Sequence, residues 1–288
     1  MGTETNFLLP WRRLMAVFAL AAMVATGCGS SGTKTTGASP TTAKATGKAL
    51  TVGTSADFPP LSSKSAASGQ IVGFENDMLT HLLGATGHPF SWSQLEFNGL
   101  IPALTAGRID MISSGMYDTA ARAKVVDFVD YMKVPLAVIT QKSDAASVKD
   151  YTGLCGHSVA YIIGSPPELT QLQQWSQQCT AAGKAAITAQ GYQGVAAAVT
   201  DITNGRTFAE LEGDIVVIYV SNTQFGSKLG VAFNVEGGTS TVGLAFPKGS
   251  SLLPTVRDAM ASYIASPAYC TDAKTWSLTP GDLLRTCP

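Results

Sequence analysis

The chain has 288 residues, enough for two lobes with a core each, and 19 basic against 20 acidic groups leave a net charge of −1. That balance excludes a basic nucleic-acid binder, and a hydrophobic content of 45% excludes a disordered chain. No apolar run reaches the roughly 18 to 20 residues of a membrane span, and the 29 glycines lack the three-residue period of collagen.

In chain order, Arg12 and Arg13 precede an apolar stretch over residues 14–24 that is too short to span a membrane. It ends in Ala25-Thr26-Gly27-Cys28, which resembles the lipobox of bacterial lipoproteins, with Ala25 where that motif prefers leucine. The resemblance implies that Cys28 is acylated and becomes the mature N-terminus. Residues 29–48 hold no large apolar side chain, so the expectation is a flexible tether that keeps a soluble module beside a membrane. A short strand is predicted at 49–53, then a helix from Phe74, whose apolar positions Phe74, Met78, Leu79, Leu82 and Leu83 fall at helical spacing. A strand at 89–94 precedes a helix capped by Asn98 and ending near Gly107. Residues 111–114 read as a buried strand, Asp118 or Thr119 as the cap of a helix carrying Arg122, and 134–141 as a strongly apolar strand. The second series has strands at 158–163 and 185–189 and helices at 167–179 and 195–203. The most β-rich run, 214–220, is assigned a strand, followed by a strand at 241–246 and a helix at 252–265. Alternating strands and helices predict α/β lobes with mostly parallel sheets.

Cys28 aside, four cysteines remain: Cys155, Cys179, Cys270 and Cys287. None has C-x-x-C spacing, and His81, His88 and His157 make no ligand cluster, so neither a metal nor a cofactor is expected. In an exported chain they predict two disulfides. Three connectivities are open; the expected one is local, Cys155 with Cys179 and Cys270 with Cys287.

The segment G-F-E-N-D-M-L-T-H-L-L (73–83), then L-I-P-A-L-T-A-G-R-I-D (100–110) and I-S-S-G-M-Y-D-T-A-A-R-A-K-V-V-D-F (112–128), resembles family 3 of the bacterial solute-binding proteins. Those proteins feed polar amino acids to ABC transporters. C-G-H-S-V-A-Y-I-I-G-S (155–165) and V-G-L-A-F-P-K-G (242–249) agree more weakly, and 205–238 matches poorly. The resemblance implies a type II periplasmic-binding-protein fold, with two α/β lobes joined by two crossing strands and a ligand cleft between them. Lobe 1 is then 49–139 plus 241–288, and lobe 2 is 140–240. It further implies a monomeric, extracytoplasmic, lipid-anchored protein that binds a small amino acid or related zwitterion and delivers it to a transporter permease. The contrasting class is an exported cyclohexadienyl (prephenate or arogenate) dehydratase on the same fold. Against it, no Ser-His-Asp set and no histidine in the motif loops offers acid–base chemistry.

The same resemblance supplies site residues. Arg122 takes the ligand α-carboxylate by its two-pronged fork, from a partly solvated position in the cleft. Ser114 and Gly115 offer a hydroxyl and an N–H at a strand end, and Ser165 offers both from lobe 2. Phe58 stacks on the ligand and Phe97 closes the pocket. Ser55 stands where binders of basic amino acids carry an aspartate, and Tyr117 replaces a small hydroxyl residue. Alignment through 213–218 puts Tyr219 where an aspartate for the α-amine is usual, which yields an aromatic cage suited to diffuse cations. The alternative is that Glu210, Glu212 or Asp214 supplies that charge.

Overall fold

The computed structural model describes residues 47–288 apart from 224. The expected signal segment and Cys28 lie outside the described residues. The last two residues of the expected tether are held: Gly47 N donates to Gly87 O at 2.9 Å, and Lys48 Nζ lies 2.9 Å from Asp110 Oδ1.

Strand β1 (Leu50–Thr54) leads into a small antiparallel sheet of β2 (Asp57–Phe58), β3 (Ser62–Lys64) and β4 (Ile71–Val72). Helix α1 (Phe74–Ala85) buries the predicted stripe Phe74, Met78, Leu79, Leu82 and Leu83. Gly73 before it has φ +138°, and a Cβ there would strike the Leu61 carbonyl, so this entry needs glycine. β5 (Phe90–Gln94) and α2 (Leu100–Thr105) follow; a 3-10 turn over Phe97–Gly99 intervenes and Gly99 is the cap, so Asn98 does not cap α2. β6 is short (Met111–Ile112), and the helix expected around Arg122 is a single 3-10 turn, Arg122–Lys124, in which Thr119 Oγ1 accepts from Arg122 N at 3.3 Å.

β7 (Val126–Gln141), the short helix α3 (Lys142–Ala145), β8 (Ser158–Ile162) and α4 (Pro166–Ala181) come next. Two prolines at the start of α4 cost nothing there, because the first N–H groups have no helical partner. β9 (Thr188–Tyr192) begins three residues later than expected, and α5 (Val195–Thr203) matches its expected bounds. The next stretch corrects the sequence reading. The strand is β10 (Ala209–Gly213), buried along its whole length, and the β-rich run is helix α6 (Asp214–Asn222). A short, wholly apolar run has no period to separate helix from strand, and packing against β7 and β11 decides it. β11 (Leu229–Pro247), α7 (Leu252–Ala265) and α8 (Pro267–Thr275) complete the chain.

One eight-stranded sheet orders these strands β5-β1-β6-β11-β7-β10-β8-β9. Two parallel triads, β5-β1-β6 and β10-β8-β9, flank the long antiparallel pair β7–β11. That pair is the double crossing of the two-lobed, type II periplasmic-binding-protein fold. Its register shifts most between Asn234 and Thr239, beside Pro135, which has no N–H to give the ladder. The expected disulfides are both formed: Cys155–Cys179 ties the end of α4 to the turn before β8, and Cys270–Cys287 ties α8 to the C-terminal segment. No described helix is long and apolar enough to cross a membrane, and no metal-holding cluster occurs among the described residues.

Candidate functional site

The carboxyl ends of parallel strands from both triads converge, which is where open α/β sheets place ligands. β1 delivers Ser55, β6 delivers Ser114 and Gly115, β8 delivers Gly164 and Ser165, and β10 delivers Glu212 and Gly213.

Arg122 lies across this convergence. Its Nη1 donates to Tyr117 O at 2.8 Å and its Nη2 to Gly164 O at 2.6 Å, and Cζ sits 5.5 Å from the centre of the Phe97 ring. The side chain is only 7% exposed, which corrects the expectation of a partly solvated arginine. Burial pulls its pKa down, and the neighbouring Glu168 pushes back.

A small cavity of about 20 Å³, room for about one water, is lined by Ser55, Phe58, Phe97, Ser165 and Glu212 among others. The structure therefore brings four of the predicted residues to one cavity. Ser114 stands behind it: its Oγ accepts from Ser55 N at 2.9 Å and pairs with Ser55 Oγ at 2.9 Å. Gly115 and Ser165 are placed differently from expectation. Gly115 N donates to Glu75 Oε1 at 2.8 Å, and Ser165 N donates to Ile162 O at 3.0 Å, so neither N–H points to the cavity as a free donor. What Gly115 supplies is room. With φ +56°, its missing Cβ leaves space for the Phe58 ring, whose Cδ1 would lie 2.6 Å from that atom. Tyr117 is 2% exposed and its hydroxyl has no partner; burial, Glu168, Glu212 and Asp214 all push its pKa up.

Tyr219 is not brought to this cluster. As a residue of α6 it lines a groove of about 560 Å³ with Lys64 and Phe225, which meets the cavity only at Asp57 and Val195. In its stead come carboxylates. Glu168, Glu210 and Glu212 are at most 1% exposed. Glu212 Oε1 accepts from Gly213 N at 2.7 Å, and the Glu168 carboxyl lies within hydrogen-bonding reach of the Glu212 and Ser165 side chains. Burial pushes the Glu212 carboxyl up to about 7, and burial with the Glu212 charge drives Glu168 higher than its usual range. Glu168 and Asp57 escaped the sequence reading. Ser165 and Glu168 have the S-x-x-E spacing of a helix start, which explains Glu168 locally and hides its place beside Arg122. Chemically, the arrangement brings together one buried arginine, buried carboxyls and the aromatic faces of Phe58 and Phe97.

Known proteins share this fold. An ancestral arginine-binding protein bound to arginine superposes with a TM-score of 0.70 at 26% identity, covering 81% of this chain and 99% of its own. An ancestral amino acid-binding protein, a precursor of cyclohexadienyl dehydratase, gives 0.70 at 25% identity, covering 79% and 95%. In sequence, the arginine-binding protein ArgT of Corynebacterium glutamicum is 28% identical over 235 residues, 81% of this chain and 75% of that protein. The family model for bacterial extracellular solute-binding proteins, family 3, matches residues 50–279, most of the chain, and the chain belongs to that family.

Proposed function

We propose that this chain is the extracytoplasmic substrate-binding component of an ABC importer, and that it captures an α-amino acid or similar zwitterion between lobe 1 (49–139 plus 241–288) and lobe 2 (140–240). The observation that carries this reading is one cavity walled by Ser55, Phe58, Phe97, Ser165 and the buried Glu212, with Arg122 set over the Phe97 ring beside it. Arg122 meets the ligand carboxylate, and Glu212 takes the α-amine that the missing aspartate would have held. Of the two sequence alternatives, this favours a carboxylate over the aromatic cage. The ArgT likeness supports the amino-acid reading, and an acyl anchor at Cys28 holds the monomer beside its permease. The test is calorimetric titration of the full-length protein with the twenty amino acids, betaines and opines, with Arg122→Ala and Glu212→Gln alongside. Micromolar binding of at least one zwitterion that both variants weaken is expected; no heat from any of them in folded protein overturns the reading.

A second reading has one specific observation in its favour. A Glu212 carboxyl near 7 is the proton donor that a cyclohexadienyl dehydratase-like enzyme requires. Consumption of prephenate or arogenate by the wild-type protein and not by Glu212→Gln decides for it.

A further inference from the structure

The two disulfides sit in different surroundings. Cys155–Cys179 is anchored in the core, with Cys179 fully buried beside Leu172 and Trp175 on the inner face of α4. Cys270–Cys287 is half-buried at both ends, and Cys287 lies between the exposed Thr286 and Pro288. A cavity of about 770 Å³ opens against Cys270, between α8 and the segment that follows it.

Arg285 marks this second bridge chemically. Its Nη2 lies 3.1 Å from Cys270 Sγ and donates to Ser266 O at 2.8 Å, and its Nε is buried without a partner. Lys274, one helical turn beyond Cys270, lines the same cavity, so both charged side chains of its wall are cationic. A disulfide sulfur is a weak acceptor and gains little from a guanidinium beside it. A thiolate gains much, because a neighbouring positive charge favours S⁻ over S–H. The arginine therefore matches the product of opening the bridge better than the bridge itself. Among the described residues, no arginine or lysine donates to either sulfur of Cys155–Cys179.

We propose that Cys270–Cys287 is a thiol-exchange site, opened by a dithiol that attacks Cys287 while Cys270 leaves as a thiolate paired with Arg285. The attacking thiolate forms a new S–S bond with Cys287 Sγ, the Cys270–Cys287 bond breaks, and its electron pair goes to Cys270 Sγ. The second thiol of the reagent then attacks the reagent's own sulfur, and Cys287 leaves. Net, the dithiol is oxidised to a disulfide, the bridge is reduced to two cysteines, and the dithiol's two protons pass to them through water. Opening the bridge unties the segment after α8, whose Asp282 O accepts from Lys133 N of the crossing strand β7 at 2.9 Å. This inference is independent of the ligand.

Brief exposure of the full-length protein to reduced glutathione, followed by acid quench, alkylation and peptide mapping, tests it. Glutathione, a monothiol, is expected on Cys287, with Cys270 alkylated as the free thiol while Cys155–Cys179 is still intact. Dithiothreitol should reduce Cys270–Cys287 at least about 10-fold faster than Cys155–Cys179, as the more accessible bridge with the better leaving group. Arg285→Gln should slow the glutathione step by about 3- to 10-fold and spread the adduct over both cysteines, whereas Arg285→Lys should stay nearer the wild-type rate. The sign of the change separates two roles: loss of the Ser266 contact alone would loosen the segment and speed exchange, so a purely structural arginine gives the opposite result. Glutathione on Cys270 in wild type, Cys155–Cys179 opening first, or a rate unchanged or raised in Arg285→Gln overturns the proposal.

Discussion

Arg122 directs two of its donors to backbone carbonyls, those of Tyr117 and Gly164, and that sets what its removal costs. Arg122→Ala leaves two buried acceptors unpaired, so unfolding free energy should drop by about 1–3 kcal/mol without any ligand, measured in urea. Binding of the identified zwitterion should weaken by about 2–5 kcal/mol, or about 30-fold to several-thousand-fold, with Arg122→Lys recovering part of it for want of the fork. An affinity unchanged in Arg122→Ala would move the carboxylate elsewhere. Glu75 is another buried carboxyl at this scale, held by Gly115 N and the Tyr131 hydroxyl. Burial still dominates and lifts its carboxyl from 4.5 to about 7. A raised carboxyl pKa means the folded state binds the proton more tightly, so this group's contribution is full below about 4.5 and lost as pH rises to about 7. Relative to wild type, Glu75→Gln, which keeps an acceptor for Gly115 N, should gain roughly 2–3 kcal/mol of stability between pH 4.5 and pH 7.5. Parallel stability curves for the two proteins across that interval would show that Glu75 titrates normally.

At the scale of elements, the Cys155–Cys179 bridge closes a loop of sequence separation 24 around β8 and α4, and Cys270–Cys287 closes one of 17. Replacing Cys155 and Cys179 together by serine should lower stability by roughly 3 kcal/mol in the chain-entropy model, read from chemical denaturation. Because Gly164 and Ser165 join β8 to α4, the same double variant should also weaken ligand binding. Stability equal to wild type would mean that packing of Leu172 and Trp175 already fixes α4. Elements with a clean period were legible in the sequence: the α1 stripe, α5 and α7 occur where the spacing puts them. β10 and α6 were not. β10 reads Ala-Glu-Leu-Glu-Gly, whose two glutamates suggest a solvated edge, yet both of its long edges are paired, with β7 and β8. That exchange is what carries Tyr219 away from the site and Glu212 into it.

For the whole molecule, the sheet is continuous from β5 to β9, and the β7–β11 pair is the only strand pairing that links the two parallel triads among the described residues. The largest register shift of that pair lies between Asn234 and Thr239, beside Pro135. Ligand bound across it stabilises the whole fold by mass action, about 2.7 kcal/mol at one hundred times Kd. The proposed tether and acyl anchor are tested at this scale too. Wild-type protein should partition with membranes, and Cys28→Ser should be released or remain unprocessed; equal membrane association of the two would rule out acylation at Cys28.

Sequence by itself determined the family, the α/β class and the helices whose apolar residues repeat at 3.6. It also determined the positions of Arg122, Ser55, Phe58 and Phe97, because these lie in motifs or at the ends of strands that local patterning defines. Only tertiary structure decided the partners. Glu75 takes the Gly115 N–H across a separation of 40 residues, and Arg122 takes the Gly164 carbonyl across 42. It also decided the charge of the cleft, since Asp57, Glu168 and Glu212 are far apart in the chain and each has an ordinary local reading. A carboxylate becomes a site when burial removes its water, and burial is a property of the folded whole.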